Sequence, residues 1–189
     1  MSKTKKARVS PIGTIVILVG IVIAIIGIVC MSLNALSLTV KLTADAEPSV
    51  GPLITGFGLA FGAPYDVEVA GFTFTAEPEM NTAVLIFFIV LALGVVAGIL
   101  AMLLRVMKKR KPALFLGLFA GLLTIVGGVL FFIVPNVVSQ DLIDAVALFD
   151  RPLSIIGGSA ALTLDAGSII PAIGGILGGA AIGVGSIIR

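Results

Sequence analysis

The chain has 189 residues, of which 59% are apolar and only 12% are charged, and its mean hydropathy is +1.25. Soluble domains contain roughly 45 to 50% apolar and about 25% charged residues, so this composition excludes an ordinary soluble domain and predicts an integral membrane protein. The length leaves room for one compact unit of four spans, each of about 20 residues. A formal net charge of only +2 gives no reason to expect a nucleic-acid partner.

The acidic and basic residues are segregated along the chain. All ten acidic residues lie within residues 34–80 and 135–168, and ten of the twelve basic residues lie outside these two segments. Loops rich in Lys and Arg tend to stay on the cytoplasmic side of a membrane. The distribution therefore predicts a multi-pass protein of the cell membrane with its N- and C-termini in the cytoplasm.

Four uncharged apolar runs separate the charged segments, and each is long enough to cross a bilayer. They are predicted as transmembrane helices at about residues 12–31, 83–104, 113–134 and 168–188. The expected fold is an all-α four-helix transmembrane bundle that forms a single membrane domain over residues 1–189. A cleaved signal peptide is the alternative for the first run, which at about 20 residues is longer than the 7 to 15 apolar residues of a typical signal.

The predicted extracellular segment 34–80 changes to the two-residue hydrophobic period of β-strands. Three strands are predicted, at residues 36–42, 57–61 and 67–74, with turns at 45–52 and 62–66. In the third strand the apolar parity switches at Ala70-Gly71, which indicates a β-bulge. We therefore expect a small extracellular antiparallel β-sheet of three or four strands.

The second predicted extracellular segment covers residues 135–167. Apolar residues at spacings of four and three favour a short amphipathic helix over Asp141–Phe149. A further strand is expected over Ala160–Asp165, where it would join the sheet of the first segment. The overall class is therefore α+β, with four membrane helices and a small sheet outside them.

The chemical content of the predicted spans is sparse. They contain no Asp, Glu, Lys, Arg or His, and ion pumps and proton-coupled carriers depend on such groups within the membrane. With no His and a single cysteine, Cys30, the chain offers no basis for haem or zinc ligation. No catalytic motif is present, so we expect neither an enzyme nor a cofactor. The external acidic pairs, such as Asp45 and Glu47, are interpreted as solvated surface rather than as a cation site.

Glycines recur in the spans at intervals that allow close helix packing. Glycines four residues apart form a flat groove on a helix, where a second backbone can approach closely. The predicted packing residues are Gly94, Gly98, Gly117, Gly121, Gly174, Gly175, Gly178, Gly179 and Gly183. Packing within the bundle is the favoured interpretation. Contact with a second protein through the fourth helix, and a glycine-lined pore, remain as alternatives.

The layout resembles that of the claudin and peripheral myelin protein superfamily of tetraspan proteins. The resemblance lies in a strand-rich first external segment, a short basic turn, a shorter second external segment and short termini. It implies a sheet that is continued by a strand from the second segment. The chain lacks the Trp and the two cysteines of the claudin first loop, and Gly58-Leu59-Ala60 matches the claudin Gly-Leu-Trp only in part, so no functional residue is carried across.

Two classes of function follow from these patterns. The first is a non-catalytic structural or interaction protein, which packs through glycine-rich helix faces and presents its extracellular sheet to partners. The second is a channel or pore, or a small accessory subunit of a transporter or another membrane complex. Both place the chain in a lipid bilayer, as a homo-oligomer or in a hetero-complex with other membrane proteins.

Overall fold

The computed structural model describes most of the chain: residues 11–41, 43, 47, 49–62, 64–69, 72–76, 79–138, 146–147, 150–151, 154–155 and 157–188. Its helices are α1 (Pro11–Val29), α2 (Gly56–Phe61), α3 (Thr82–Val106), α4 (Arg110–Leu130) and α5 (Ala166–Ile187). Its strands are β1 (Asn34–Lys41), β2 (Ser49–Thr55), β3 (Tyr65–Val69), β4 (Phe72–Ala76) and β5 (Ser159–Leu164). Single helical turns, Cys30–Ser32 and Phe131–Asn136, extend α1 and α4.

Four of the helices are long and apolar enough to cross a membrane. With their terminal turns they cover Pro11–Ser32, Thr82–Val106, Arg110–Asn136 and Ala166–Ile187. The shortest has 22 residues, which corresponds to about 33 Å of helix against a bilayer core of about 30 Å. The helix ends lie within a few residues of the runs predicted from the sequence.

The four long helices form a ring in which α1 packs on α5, α5 on α4, and α4 on α3, and α3 returns to α1. Neighbours run antiparallel, since Gly20 of α1 lies beside Gly178 of α5 and Gly27 lies beside Gly174. Apolar side chains fill the space between them, namely Ile17, Ile21, Ala24, Val95, Ala120 and Ile182. The outward faces are apolar as well; Leu122, for example, is 60% exposed.

Three strands form the sheet at one end of the bundle, in the order β2-β1-β5, with both pairs antiparallel. In the β1–β5 pair, Leu36 lies opposite Leu164 and Val40 opposite Ala160. The predicted first strand and the predicted strand from the second segment are both confirmed. The sheet therefore joins two segments that are more than a hundred residues apart in the chain.

The predicted second strand at residues 57–61 is wrong, because these residues form α2. Thr55 starts this helix, since its hydroxyl accepts a hydrogen bond of 2.9 Å from the Gly58 N–H. Gly62 ends it in the left-handed conformation, at φ 68°. The actual second strand is β2, which includes part of the stretch predicted as a turn. Large and small residues that alternate over only six positions suit a short helix as well as a strand.

The predicted bulge is also wrong, since residues 67–74 contain a chain reversal. β3 and β4 pair antiparallel, with Val69 opposite Phe72 and Val67 opposite Phe74. Residues that lie directly opposite each other in a hairpin share one face. The two valines are at odd positions and the two phenylalanines at even positions, so a chain reversal between them shifts the apolar residues from odd to even positions just as a bulge would. The helix predicted at Asp141–Phe149 falls mostly outside the described residues, of which Val146 and Ala147 are helical.

A continuous apolar core connects the sheet end to the bundle. Its buried members include Met31, Leu36, Ile54, Leu59, Val84, Phe87, Leu91, Phe131 and Val134. α2 rests against α3 through aromatic contacts, with Phe61 and Phe88 centroids 5.5 Å apart. Asn81 caps α3 by accepting from the Val84 N–H, and its amide donates to the Val137 carbonyl at 2.6 Å. The sheet and the helices therefore pack as one unit.

Candidate helix-packing interface

Two glycine stripes on α5 lie against two different neighbours. The first stripe faces α1: a Cβ built on Gly178 would lie 2.6 Å from the Gly20 carbonyl oxygen, and one on Gly174 would lie 3.2 Å from Gly27 Cα. Real Cβ atoms essentially never approach a backbone atom within 3.0 Å. At Gly178 the two backbones are therefore in contact, with no room for a side chain between them.

The second stripe of α5 faces α4. A Cβ on Gly175 would lie 2.6 Å from Gly128 Cα, and one on Gly179 would lie 2.6 Å from the Gly121 carbonyl oxygen. The sequence analysis left contact with a second protein through this helix as an alternative. The structure provides the second neighbour within the same chain, so both stripes are covered by the bundle itself.

Gly183 differs from the other predicted packing glycines, because a Cβ at this position would meet nothing within 4 Å. The helical period explains the difference. Residues four apart advance by about 40° around a helix, so a side chain at this position would point away from α4. The Gly183 backbone still lies close to α4, since a Cβ on Gly121 would be 3.0 Å from the Gly183 nitrogen and 3.1 Å from its Cα. Further along α5, the contact with α4 is made by Ser186, whose side chain lies against Gly117.

The paired glycines of α3 contact different parts of the bundle. A Cβ on Gly94 would lie 2.7 Å from the Thr124 backbone nitrogen of α4, whereas one on Gly98 would lie 3.2 Å from Ile182 Cδ1 and 3.4 Å from Ile21 Cγ1. Gly94 therefore allows α3 and α4 to approach closely. Gly98 faces the centre of the bundle and leaves room for two isoleucine side chains.

The hydroxyl groups within the bundle are bonded to their own helices. Thr124 donates to the Ala120 carbonyl at 2.7 Å, and Ser186 donates to the Ile182 carbonyl at 2.7 Å. In each case the hydroxyl bonds the carbonyl four residues earlier, which satisfies it without a partner on another helix. Ser168, at the sheet end of α5, is buried and has no bonding partner for its hydroxyl among the described residues.

Two charged residues that the sequence analysis did not single out hold the ends of α5. Asp165 is the residue before the helix, and its carboxylate accepts from the Ala166 N–H at 2.7 Å and from the buried hydroxyl of Ser37 on β1. A negative charge at a helix N-terminus is also favoured by the helix dipole. Asp165 thus joins the start of α5 to the sheet. A sequence signal existed, since Asp directly precedes the apolar run.

Arg105 holds the opposite end of α5. Its guanidinium donates from Nη1 to the carbonyls of Gly185 and Ser186, at 2.6 and 3.4 Å, and from Nη2 to the carbonyl of Ile188 at 2.5 Å. These carbonyls lie in the last turn, where a helix lacks its own donors and carries partial negative charge. Arg105 belongs to α3, so this cation connects two helices.

A third helix, α1, also contacts this arginine. A Cβ on Gly13 would lie 2.7 Å from Arg105 Cζ and 2.7 Å from the Gly185 carbonyl oxygen. The side chain is only 6% exposed. The predicted span 83–104 contains no ionisable residue, but α3 continues two residues beyond its predicted end and therefore includes the buried Arg105. We refer to Gly13, Arg105, Gly185 and the turn between α3 and α4 as the basal end of the bundle.

Substitution of Asp165 tests the sheet end of α5. In Asp165→Ala we expect a loss of about 1 to 3 kcal/mol in the free energy of unfolding, because the helix loses its cap and the buried Ser37 hydroxyl loses its acceptor. Asp165→Asn keeps one oxygen that accepts from the Ala166 N–H, and its amide NH2 can donate to the Ser37 hydroxyl oxygen, so it should lose less. Thermal unfolding in detergent measures both variants, and equal stability of the Ala and Asn variants would contradict this role.

Among the described residues, no group of three or more His, Cys, Asp or Glu side chains is placed to hold a metal ion. Cys30 is partly buried at the sheet end of α1. A scan against protein-family models, a search of curated proteins and a search of solved structures each found no match to this chain. Its function is therefore inferred from the packing and the surfaces of its own residues.

Proposed function

We propose that this protein is a non-catalytic structural or interaction component of the cell membrane. In this proposal the four long helices cross the bilayer and the basal end lies in the cytoplasm together with both chain termini. The apolar outward faces of the helices support their placement across the bilayer. The cytoplasmic location of the basal end is supported by the basic residues of the turn between α3 and α4, since positively charged loops are retained on the cytoplasmic side.

The observation that carries the proposal is the closed packing of the bundle. α5 meets α1 and α4 at backbone distance, and the side chains of Ile21 and Ile182 occupy the centre. A bundle packed in this way is suited to support a rigid external element rather than to line a water-filled path. Its layout also matches what the tetraspan resemblance implies, with β5 of the second segment paired to β1 of the first.

The face that we assign to partner contact is the outer face of the sheet. Ser159, Ala161 and Thr163 alternate along β5 as exposed residues, and Thr163 shares a hydrogen bond of 3.1 Å with Thr39 of β1. Apart from Lys41, which lies opposite Ser159, the side chains on this face are small or β-branched, so few side-chain rotamers have to be immobilised. Such a surface can bind a partner at low entropic cost. The partner is a second membrane protein or a further copy of this chain.

Extraction in a mild detergent, followed by mass spectrometry of the purified material, tests the proposal. We expect a stable multimer or hetero-complex with the wild-type chain and its loss in Ala161→Lys, with unchanged thermal stability. Ser154→Lys adds the same charge to an exposed residue that is not part of the sheet and should keep the complex. A monomer without partners, or ion conductance in liposomes, would count against the proposal.

A further inference from the structure

The turn at the basal end carries four consecutive exposed cations, Lys108, Lys109, Arg110 and Lys111. α3 ends at Val106 and α4 begins at Arg110, so the connection is very short. Lys108 adopts a left-handed backbone conformation, at φ 62°, which allows this tight reversal. The charges are therefore concentrated at one place on the surface instead of being spread along a flexible loop.

The four long helices carry no acidic side chain that could neutralise this group of cations. The sequence contains no Asp or Glu from Pro11 to Ala44, from Thr82 to Val138, or after Asp165. These stretches include all of α1, α3, α4 and α5, which are the elements that form the basal end. Arg105 lies next to the turn, but it is buried and its guanidinium is bonded to the end of α5. The four exposed cations thus form a strongly positive patch.

Large apolar side chains are exposed directly beside the cations. Val106 and Met107 are 63% and 62% exposed on one side of the turn, and Phe115 is 75% exposed on the first turns of α4. A nucleic acid or an acidic peptide would satisfy the charges but leave these apolar groups in water. A molecule with an anionic group next to hydrocarbon chains matches both parts of the surface.

We propose that the turn Lys108–Lys111 binds the anionic headgroups of acidic phospholipids in the cytoplasmic leaflet. The proposal rests on the membrane placement given above and adds the class of lipid. The phosphate, with any further anionic group of the head, lies among the cations, and the acyl chains lie along Val106, Met107 and Phe115. Each Lys or Arg near an anionic membrane surface contributes roughly a fivefold gain in affinity.

Native mass spectrometry of the full chain in a neutral detergent tests this binding, with phosphatidylglycerol and phosphatidylcholine as probes. We expect wild-type protein to retain phosphatidylglycerol in preference to phosphatidylcholine. In Lys109→Gln/Lys111→Gln we expect roughly 30-fold weaker binding of the acidic lipid, because two charges are removed. Lys109→Arg/Lys111→Arg keeps the charges and should bind like wild type, which separates loss of charge from loss of fold.

Lys41→Gln/Arg151→Gln is the matched control, since it removes two cations from the sheet end of the molecule. We expect this variant to retain the wild-type preference. Inorganic phosphate should not compete at concentrations equal to those of the lipid, because it has no apolar part. Tighter binding of a nucleic acid or an acidic peptide than of phosphatidylglycerol would overturn the proposal.

The two proposals fail in different ways. A chain that is recovered outside the membrane fraction would contradict the membrane placement itself. Two results would contradict only the lipid proposal. The membrane-embedded protein would bind both lipids equally, or Lys109→Gln/Lys111→Gln and Lys41→Gln/Arg151→Gln would lose the same affinity for the acidic lipid.

Discussion

Alanine in place of Gly179 is expected to destabilise the bundle, whereas alanine in place of Gly183, one turn further along α5, is not. A Cβ at Gly179 would lie 2.6 Å from the Gly121 carbonyl oxygen and 2.8 Å from the Ile125 backbone nitrogen. Backbone atoms cannot rotate away as a side-chain end can, so α4 and α5 must separate. Overpacking of this kind costs about 1 to 3 kcal/mol.

Gly183→Ala is a matched control because the same methyl group enters the same helix, where it meets nothing within 4 Å. Alanine is also the better helix former, by up to about 1 kcal/mol. We therefore expect Gly183→Ala to unfold at the wild-type temperature or slightly above it, and Gly179→Ala clearly below it. Leucine at the same two positions should widen the gap. Equal midpoints for the two alanine variants in a thermal unfolding experiment would refute the assigned packing.

Loss of the Arg105 guanidinium is expected to release the basal end of α5. In Arg105→Met, three hydrogen bonds to the last carbonyls of the helix disappear, although a side chain of comparable length remains. Hydrogen bonds to a charged donor contribute about 1.5 to 3 kcal/mol each, and the carbonyls partly recover bonds to water at the helix end. We expect a net loss of about 2 to 4 kcal/mol in the free energy of unfolding.

Hydrogen exchange resolved along the chain locates this effect. Protection should fall in the last turn of α5 and stay unchanged at its first turn, where Asp165 provides the cap. Arg105→Lys should recover only part of the stability, because an ammonium group cannot reproduce the planar fork that bonds separate carbonyls. Arg110→Met removes an exposed cation from the adjacent turn and serves as the control. If Arg110→Met destabilised the protein as much as Arg105→Met, the effect would come from the positive charge at this end and not from the hydrogen bonds between Arg105 and the carbonyls of α5.

The regular patterns in the sequence predicted the elements that depend on local composition. Uncharged apolar runs predicted the four long helices, because a run of that length and hydropathy has few other stable arrangements. The alternation of apolar and polar residues over Leu36–Leu42 predicted β1, because this two-residue period fits a strand with one buried face. The strand predicted at residues 57–61 was wrong because the alternating stretch 56–61 has only six residues, too few to separate a strand from a short helix. The helix is set by its end residues, Thr55 and Gly62.

The sequence by itself determined which segments are membrane-length helices, which residues are small enough for close packing, and how the charges are distributed. Only the tertiary structure decided which neighbour each glycine meets. A stripe of residues four apart winds around its helix, so a side chain at Gly175 or Gly179 would run into α4, whereas one at Gly183 would meet nothing within 4 Å although the Gly183 backbone lies close to Gly121. The tertiary structure also decided that Arg105, the first of a basic cluster in the sequence, is buried. Its partners are backbone carbonyls some eighty residues away, and backbone groups leave no trace in the pattern of side chains.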